Sequence, residues 1–391
     1  MHIMHTNKNN NIIERRNNMK FSIKQRILLE HLNNVIRGIS TKNLIPILNC
    51  IKFELTNEGL FLISTDNELA IKDFIPANEI ENIEVQGEIL ISGRYIYDIV
   101  RKLTNDIINI EEVIDSQVLI TTETSSFKLN CNNVSEFPDI DLDFTDSPIF
   151  MDEKVFKTTI NQTIFATSTQ ESRPVLTGIN FKINENIMEV TATDSYRLSK
   201  KRIVLDNNVT DNVDIIIPSK NLSEIIRLIP DDDDKLEIHV FANKVIFKIK
   251  NLIVMTRLIN GNYPDTNKLI PERFELKVKV NLNNFFNAID RASLLTNAEE
   301  KNIIKLETKK DVMIISSNIP EIGNVEEKIN IERNDDRSIR ISFSSKYMMD
   351  AIKTFDSEEI ELSFNGEIKP IIINYVDNDD LTQLILPIRT Y

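Results

Sequence analysis

Asp231-Asp232-Asp233-Asp234 is the longest carboxylate run in the chain, and gathered carboxylates are the raw material for holding a divalent cation or moving a proton. Four adjacent side chains point in different directions, however, and the run lacks the alternating ligand spacing of a calcium loop, so after Pro230 it reads as a solvated turn. Asp66 and Asp194 are the other candidates, because two carboxylates with magnesium would equip a nuclease. They stand in corners of similar composition, Ser64-Thr65-Asp66-Asn67 and Ala192-Thr193-Asp194-Ser195, with Asn318 in a third, Ser316-Ser317-Asn318-Ile319. An Asx turn, whose side-chain oxygen accepts backbone N–H bonds, accounts for all three without catalysis. His2, His5, His31 and His239 are scattered, and Cys50 and Cys131 supply neither a disulfide framework nor a zinc site, which fits a reducing cytoplasm. Glycine-rich phosphate cradles and the G-x-S-x-G elbow are absent. No catalytic residue, metal or cofactor is expected, and function is sought first in binding surfaces.

Those surfaces have to be positioned by elements that recur. The 391 residues are enough for two or three domains, and 41% hydrophobic residues with 27% charged describe a folding chain. No apolar run reaches the length of a membrane span, and residues 1–18, rich in Asn and polar, read as a flexible extension and not a signal peptide. Self-similarity then appears at a period of about 130 residues, the scale of repeated domains. Ile51–Leu55, Ile179–Ile183 and Ile304–Glu307 alternate apolar and polar residues as half-buried strands do. Helical stripes recur as Leu32/Val35/Ile36/Ile39, Ile96/Ile99/Val100/Leu103, Leu222/Ile225/Ile226/Ile229, Leu282/Phe285/Phe286/Ile289 and Met348/Ala351/Ile352/Phe355, with a weaker one at Phe156, Ile160 and Ile164. Strands run into helices at Ile89–Arg94, Ile215–Lys220 and Ile339–Ser344, and the small polar residues at each junction predict side-chain N-caps. The reading is an α+β chain of three like domains, 19–146, 147–273 and 274–391, each with two helices packed on antiparallel sheets.

Charge follows the same division. The net charge of −14 argues against nucleic acid, since phosphate affinity comes from Lys and Arg. Over helix windows 22–38, 93–104, 153–168, 219–229, 281–296 and 344–355, however, the charges total about +7, so the remainder carries about −21. If the six helices share one side, that side is mildly cationic. The cations are too sparse for sequence readout and suit weak contact independent of base identity. Lys and Arg are also simply good helix formers on solvated faces. Three functions remain open at this level: a protein that holds DNA weakly along its helices, a metal-dependent nuclease using Asp66 and Asp194, and a scaffold that binds only proteins.

The strings Ser172-Arg173-Pro174-Val175-Leu176-Thr177-Gly178, Ala192-Thr193-Asp194-Ser195-Tyr196-Arg197-Leu198, Asn260-Gly261-Asn262-Tyr263-Pro264-Asp265 and Gln383-Leu384-Ile385-Leu386-Pro387-Ile388-Arg389-Thr390-Tyr391 resemble the bacterial sliding clamps, the DNA polymerase III beta subunit family of low-GC Gram-positive bacteria. The resemblance runs from Met19 to Tyr391. It implies a non-catalytic processivity factor, a head-to-tail homodimer closed as a ring around duplex DNA. It implies a groove for short apolar-ended peptides of the DNA polymerase III alpha subunit, the clamp loader and repair polymerases. By motif the groove comprises Arg173, Leu176, Thr193, Ser195, Tyr196, Arg197, Leu198, Pro264, Leu269, Leu384, Leu386, Pro387, Ile388 and Arg389, the three arginines meeting the peptide's polar part. Tyr196 departs from the family, where His is common. The resemblance places Leu294 and Leu295 against Phe127 and Leu129 of a partner subunit, and Lys42, Gln170 and Lys220 at the DNA channel. Helix charge adds Arg94, Arg101, Lys157 and Lys353 to that channel.

Overall fold

The computed structural model describes residues 18–39, 45–104, 106–113, 116–297 and 302–389. Most of the polar leader, Lys42, Thr390 and Tyr391 lie outside the described residues. The contacts divide the chain into two units, 18–143 with Lys250–Met255, and Phe144–Ile249 with 256–389.

The first unit contains β1 (Lys20–Lys24), α1 (Gln25–Val35), β2 (Cys50–Leu55), β3 (Gly59–Thr65), β4 (Leu69–Pro76), β5 (Ile80–Val85), β6 (Gly87–Ser92), α2 (Gly93–Lys102), β7 (Ile107–Val113), β8 (Gln117–Thr121) and β9 (Ser126–Asn132). Strands β1 to β9 are hydrogen-bonded in the order β4-β3-β2-β6-β9-β8-β7-β1-β5, and every pairing is antiparallel. Leu28, Leu32 and Val35 of α1 and Ile96 and Val100 of α2 are buried, one stripe per helix. Ile36 and Ile39 fall past the end of α1 and are only half-buried, and residues 22–24, counted in the first helix window, belong to β1.

Asp73 on β4 is buried beneath α1, its Oδ2 lying 2.9 Å from His31 Nδ1 and accepting Asn34 Nδ2 at 2.8 Å. Burial alone would lower the His31 pKa, but the hydrogen bond and charge of Asp73 outweigh it, so the pKa is raised above 6.5. A pKa raised by folding gives stability that is complete below the unfolded value and fades as pH climbs through the folded one. Thermal melts should therefore show the gap between native protein and His31→Gln narrowing as pH rises above the ordinary imidazole range, by an amount of order 1 kcal/mol. A gap independent of pH would show that the pair stays uncharged.

The second unit opens with β10 (Ile149–Asp152), α3 (Glu153–Thr163), β11 (Gly178–Thr193), β12 (Arg197–Pro218), α4 (Ser219–Leu228), β13 (Lys235–Val240) and β14 (Lys244–Ile249); of β15 (Leu252–Arg257) it holds only Thr256 and Arg257. It continues with β16 (Leu276–Asn281), α5 (Leu282–Ser293), β17 (Ile303–Lys309), β18 (Val312–Ile319), β19 (Gly323–Asn330), β20 (Glu332–Arg333), β21 (Arg340–Ser344), α6 (Ser345–Ile352), β22 (Glu359–Phe364), β23 (Ile371–Tyr375) and β24 (Asn378–Ile385). Strands β19-β18-β17-β21 form one sheet, and Phe285, Ile289, Met348 and Ile352 from α5 and α6 share a single core with Ile304, Leu306, Met313 and Ile315 on it. The two halves of this unit are fused by a ladder, Arg197↔Ile385 to Lys201↔Leu381, which makes β11-β12-β24-β23-β22-β16-β20 one sheet. Both halves fall within one unit.

Two local expectations fail. At the strand-to-helix junctions only Ser344 accepts a capping bond, from Tyr347 N–H at 3.5 Å; Ser92 makes none, and the N-cap of α4 is Pro218. The third corner is also misplaced, because Asn318 lies inside β18 opposite Asn324 and the chain turns at 320–322.

Candidate functional site

The corner between β11 and β12 is an Asx turn, with Asp194 Oδ1 accepting the N–H groups of Tyr196 and Arg197 at 2.9 and 3.0 Å. Asp66 Oδ1 does the same for Glu68 and Leu69 at 3.1 and 2.8 Å. Ser195 takes a left-handed φ of 77°, and Thr193 Oγ1 braces the turn by donating to Arg197 O at 2.6 Å and accepting Ser195 N–H at 3.1 Å. Tyr196 is thereby turned out to 51% exposure, while Arg197 points in. Arg197 Nε donates to Asp194 Oδ2 at 3.1 Å and Nη1 to Asp350 Oδ2 on α6 at 2.8 Å. Its guanidinium lies 5.1 Å from the Phe165 ring and 4.5 Å from Tyr347, which faces Tyr196 at 6.4 Å. Burial, with the Asp194 charge second, raises the Tyr347 pKa.

Strand β12 contributes to two small apolar clusters, through Ile216 and through Leu198. One contains Leu176, Ile216 and Tyr263, lined by Val175 and Ile259, and Tyr263 Oη accepts Thr193 N–H at 2.9 Å. Burial holds the Tyr263 phenol well above its usual pKa. Glycine is required beside this cluster at 261, where φ is +138° and a Cβ would come within 2.7 Å of Val175 Cγ1. The other cluster contains Leu198, Ile372 and Leu384, with Ile270, Phe274 and Leu386 against it. The last described segment is held between the corner and β21, Leu386 N–H donating to Tyr196 O at 3.0 Å and Ile388 N–H to Ser342 O at 2.7 Å.

The structure therefore gathers Thr193, Ser195, Tyr196, Arg197, Leu198, Leu384, Leu386 and Ile388 around one corner, with Leu176 attached through Tyr263. Pro387 and Ile388 are half-buried, and Pro264, Leu269, Arg173 and Arg389 are exposed. Arg197 differs in role from the other arginines: with 10% side-chain exposure and two carboxylate partners it ties the corner to α6, leaving Arg173 and Arg389 as the cations presented to solvent. Tyr263 stood within a recognised motif, whereas Phe165, Tyr347 and Asp350 carry no local signal.

Exposed cations recur on the helices. Arg94 and Lys220 are exposed on α2 and α4, Gln170 is exposed after α3, and Lys353 follows α6 with its ammonium 5.3 Å from the Phe286 ring centroid. Arg101 pairs with Asp98 at 2.8 Å, and Lys157 is ion-paired with Asp231, so these two present less charge than the helix count implied. Strand β9 pairs with β8 over Ser126–Asn130 and with β6 only at Cys131 and Asn132, so among the described residues the edge beside Phe127 and Leu129 is open. Leu294, just past α5, is 78% exposed and Leu295 half-buried.

Repeated two-helix domains on antiparallel sheets, with two apolar clusters around one braced corner, describe a clamp-type architecture. Residues 19–141, 150–265 and 267–389 match the N-terminal, central and C-terminal domains of the DNA polymerase III beta subunit. The beta sliding clamp of Staphylococcus aureus (strain Mu50) is 40% identical over 377 residues, 95% of this chain and all of that one. The crystal structure of the DNA polymerase sliding clamp from Bacillus subtilis superposes with a TM-score of 0.93 at 37% identity, and the DNA polymerase III beta chain of Streptococcus pneumoniae with 0.91 at 35%. Each comparison covers 95% of this chain and 100% of the other. The chain belongs to the DNA polymerase III beta subunit family, the sliding clamps, and is a non-catalytic processivity factor of DNA replication. The nuclease alternative falls with this result, and Asp194 is in any case committed to the corner it builds.

Proposed function

We propose that two copies close head to tail into a ring around duplex DNA in the cytoplasm, and that partner proteins dock in the groove around Tyr196 and Arg197. The tandem of three clamp domains in one chain carries this reading. Two such chains close if each domain turns by about one sixth of a circle, so that a heterologous contact ends in a ring and not a filament. The open edge of β9, with Phe127 and Leu129, meets Leu294 and Leu295 of the other copy. Domains 19–146, 147–273 and 274–391 turn their helices toward DNA, where Lys42, Arg94, Arg101, Lys157, Gln170, Lys220 and Lys353 touch phosphates weakly enough to slide. Apolar ends of peptides from the DNA polymerase III alpha subunit, the clamp loader and repair polymerases fill the space between the two clusters, with Arg173 and Arg389 at its rim. Tethering then raises the effective concentration of a polymerase at its template.

Topological enclosure makes a specific demand. With clamp loader and ATP, the protein should be retained on nicked circular plasmid and released when the plasmid is cut. Equal retention on circular and linear DNA would mean that it binds DNA without enclosing it.

A further inference from the structure

The run Asp231–Asp234, left as a bare turn by its sequence, sits against the start of α3. Glu153 N–H donates to Asp234 O at 3.1 Å, which fixes the turn to the helix. Lys154 is ion-paired with Asp233 and Lys157 with Asp231, and Lys157 Nζ also donates to Ile229 O at 3.1 Å. These are the two cations of α3. Lys235, closing the turn, is held at 2.6 Å by Asp206. The carboxylates that pair the α3 lysines are themselves 81% and 94% exposed, so the turn stands in solvent with its charge directed at α3.

Such exposed pairs contribute little to stability and are weakened by salt. Their consequence is competition: a phosphate reaching α3 must displace a carboxylate already in place. We infer that the 231–234 turn is an internal counterion that competes with DNA phosphates for Lys154 and Lys157 and so loosens the grip of this stretch of the channel. The inference rests on the reading that α3 faces DNA. It goes beyond that reading by assigning the acidic turn a task, the lowering of friction along the duplex. A carboxylate and a phosphate exchange on the same ammonium without either being held hard, and the counterions gained by releasing DNA salt are partly returned to the freed aspartate.

The test is the salt dependence of binding to a fluorescently labelled short duplex. In Asp231→Asn/Asp233→Asn, the slope of log affinity against log salt should steepen by about 2, roughly 0.9 for each lysine released. Affinity at low salt should rise about tenfold. Adding Lys154→Ala and Lys157→Ala should erase the gain, and the same two alanines should cost less affinity in the native background than in the asparagine variant. A gain that survives loss of the lysines would be general repulsion and would overturn the inference, as would an unchanged slope. Arg94→Ala with Lys220→Ala separates the two readings. If that pair flattens the slope while the asparagine variant leaves it alone, the channel stands and the counterion falls; if no variant moves the slope, both fall.

Discussion

Arg197→Ala should abolish stimulation of the replicative polymerase and lower the melting temperature of the second unit, while leaving the dimer intact. The guanidinium bridges Asp194 on the β11–β12 corner and Asp350 on α6, and lies over Phe165 and Tyr347. Truncation leaves two carboxylates facing each other with little water to shield them. Breaking a fully buried pair costs about 3–5 kcal/mol, and since Asp350 is 29% exposed a discounted value of roughly 2–3 kcal/mol applies. For a unit of this size that corresponds to a fall of very roughly 5–10 °C. Docking at the proposed groove should suffer more than the fold, because Tyr196 and Leu386 are positioned by the same corner. Arg197→Lys distinguishes geometry from charge: an ammonium cannot fork to both carboxylates while lying across the rings, so stimulation should recover only in part. Unchanged stimulation in the alanine variant would defeat the assignment of this groove.

That role of Arg197 was out of reach of the sequence for a definite reason. Asp350 lies 153 residues further along the chain, and its spacing on α6 marks it only as a solvated helical residue. What the sequence does specify is set by neighbours. Helices α1 to α6 were legible because apolar residues three and four apart must bury together, and the Asx corners because an aspartate needs only the next two or three N–H groups. The same locality explains the failures. Helix caps at α2 and α4 depend on a few degrees of backbone that Ser92 and Pro218 do not advertise, and the third corner moved because β18 continues through Asn318 to Ile319. How the second and third repeats join was set by the β12–β24 ladder, a pairing between segments that begin about 180 residues apart in the chain.

Leu294→Ala with Leu295→Ala should convert the dimer to monomer in sedimentation velocity without a matching loss of fold. Leu294 is so exposed in the single chain that its truncation should alter monomer stability by no more than about 0.5 kcal/mol. At an interface the same truncation removes a desolvated anchor. Two anchors at about 2 kcal/mol each weaken each contact by roughly a thousandfold, and the closed ring contains two such contacts. Phe127→Ala with Leu129→Ala, on the open edge of β9, should do the same from the opposite end of the chain. The decisive sample is a mixture of the two variants. In a head-to-tail ring each contact joins one β9 edge to one α5 end, so a mixed pair contains one contact with both sides native and one with both sides broken. Each variant alone has two half-broken contacts. Mixing should therefore restore dimers, open at one contact and unable to stay on a nicked circle. A two-fold symmetric interface, in which each patch meets its own copy, predicts no such rescue, and a dimer persisting in both separate variants would place the contact on another edge altogether.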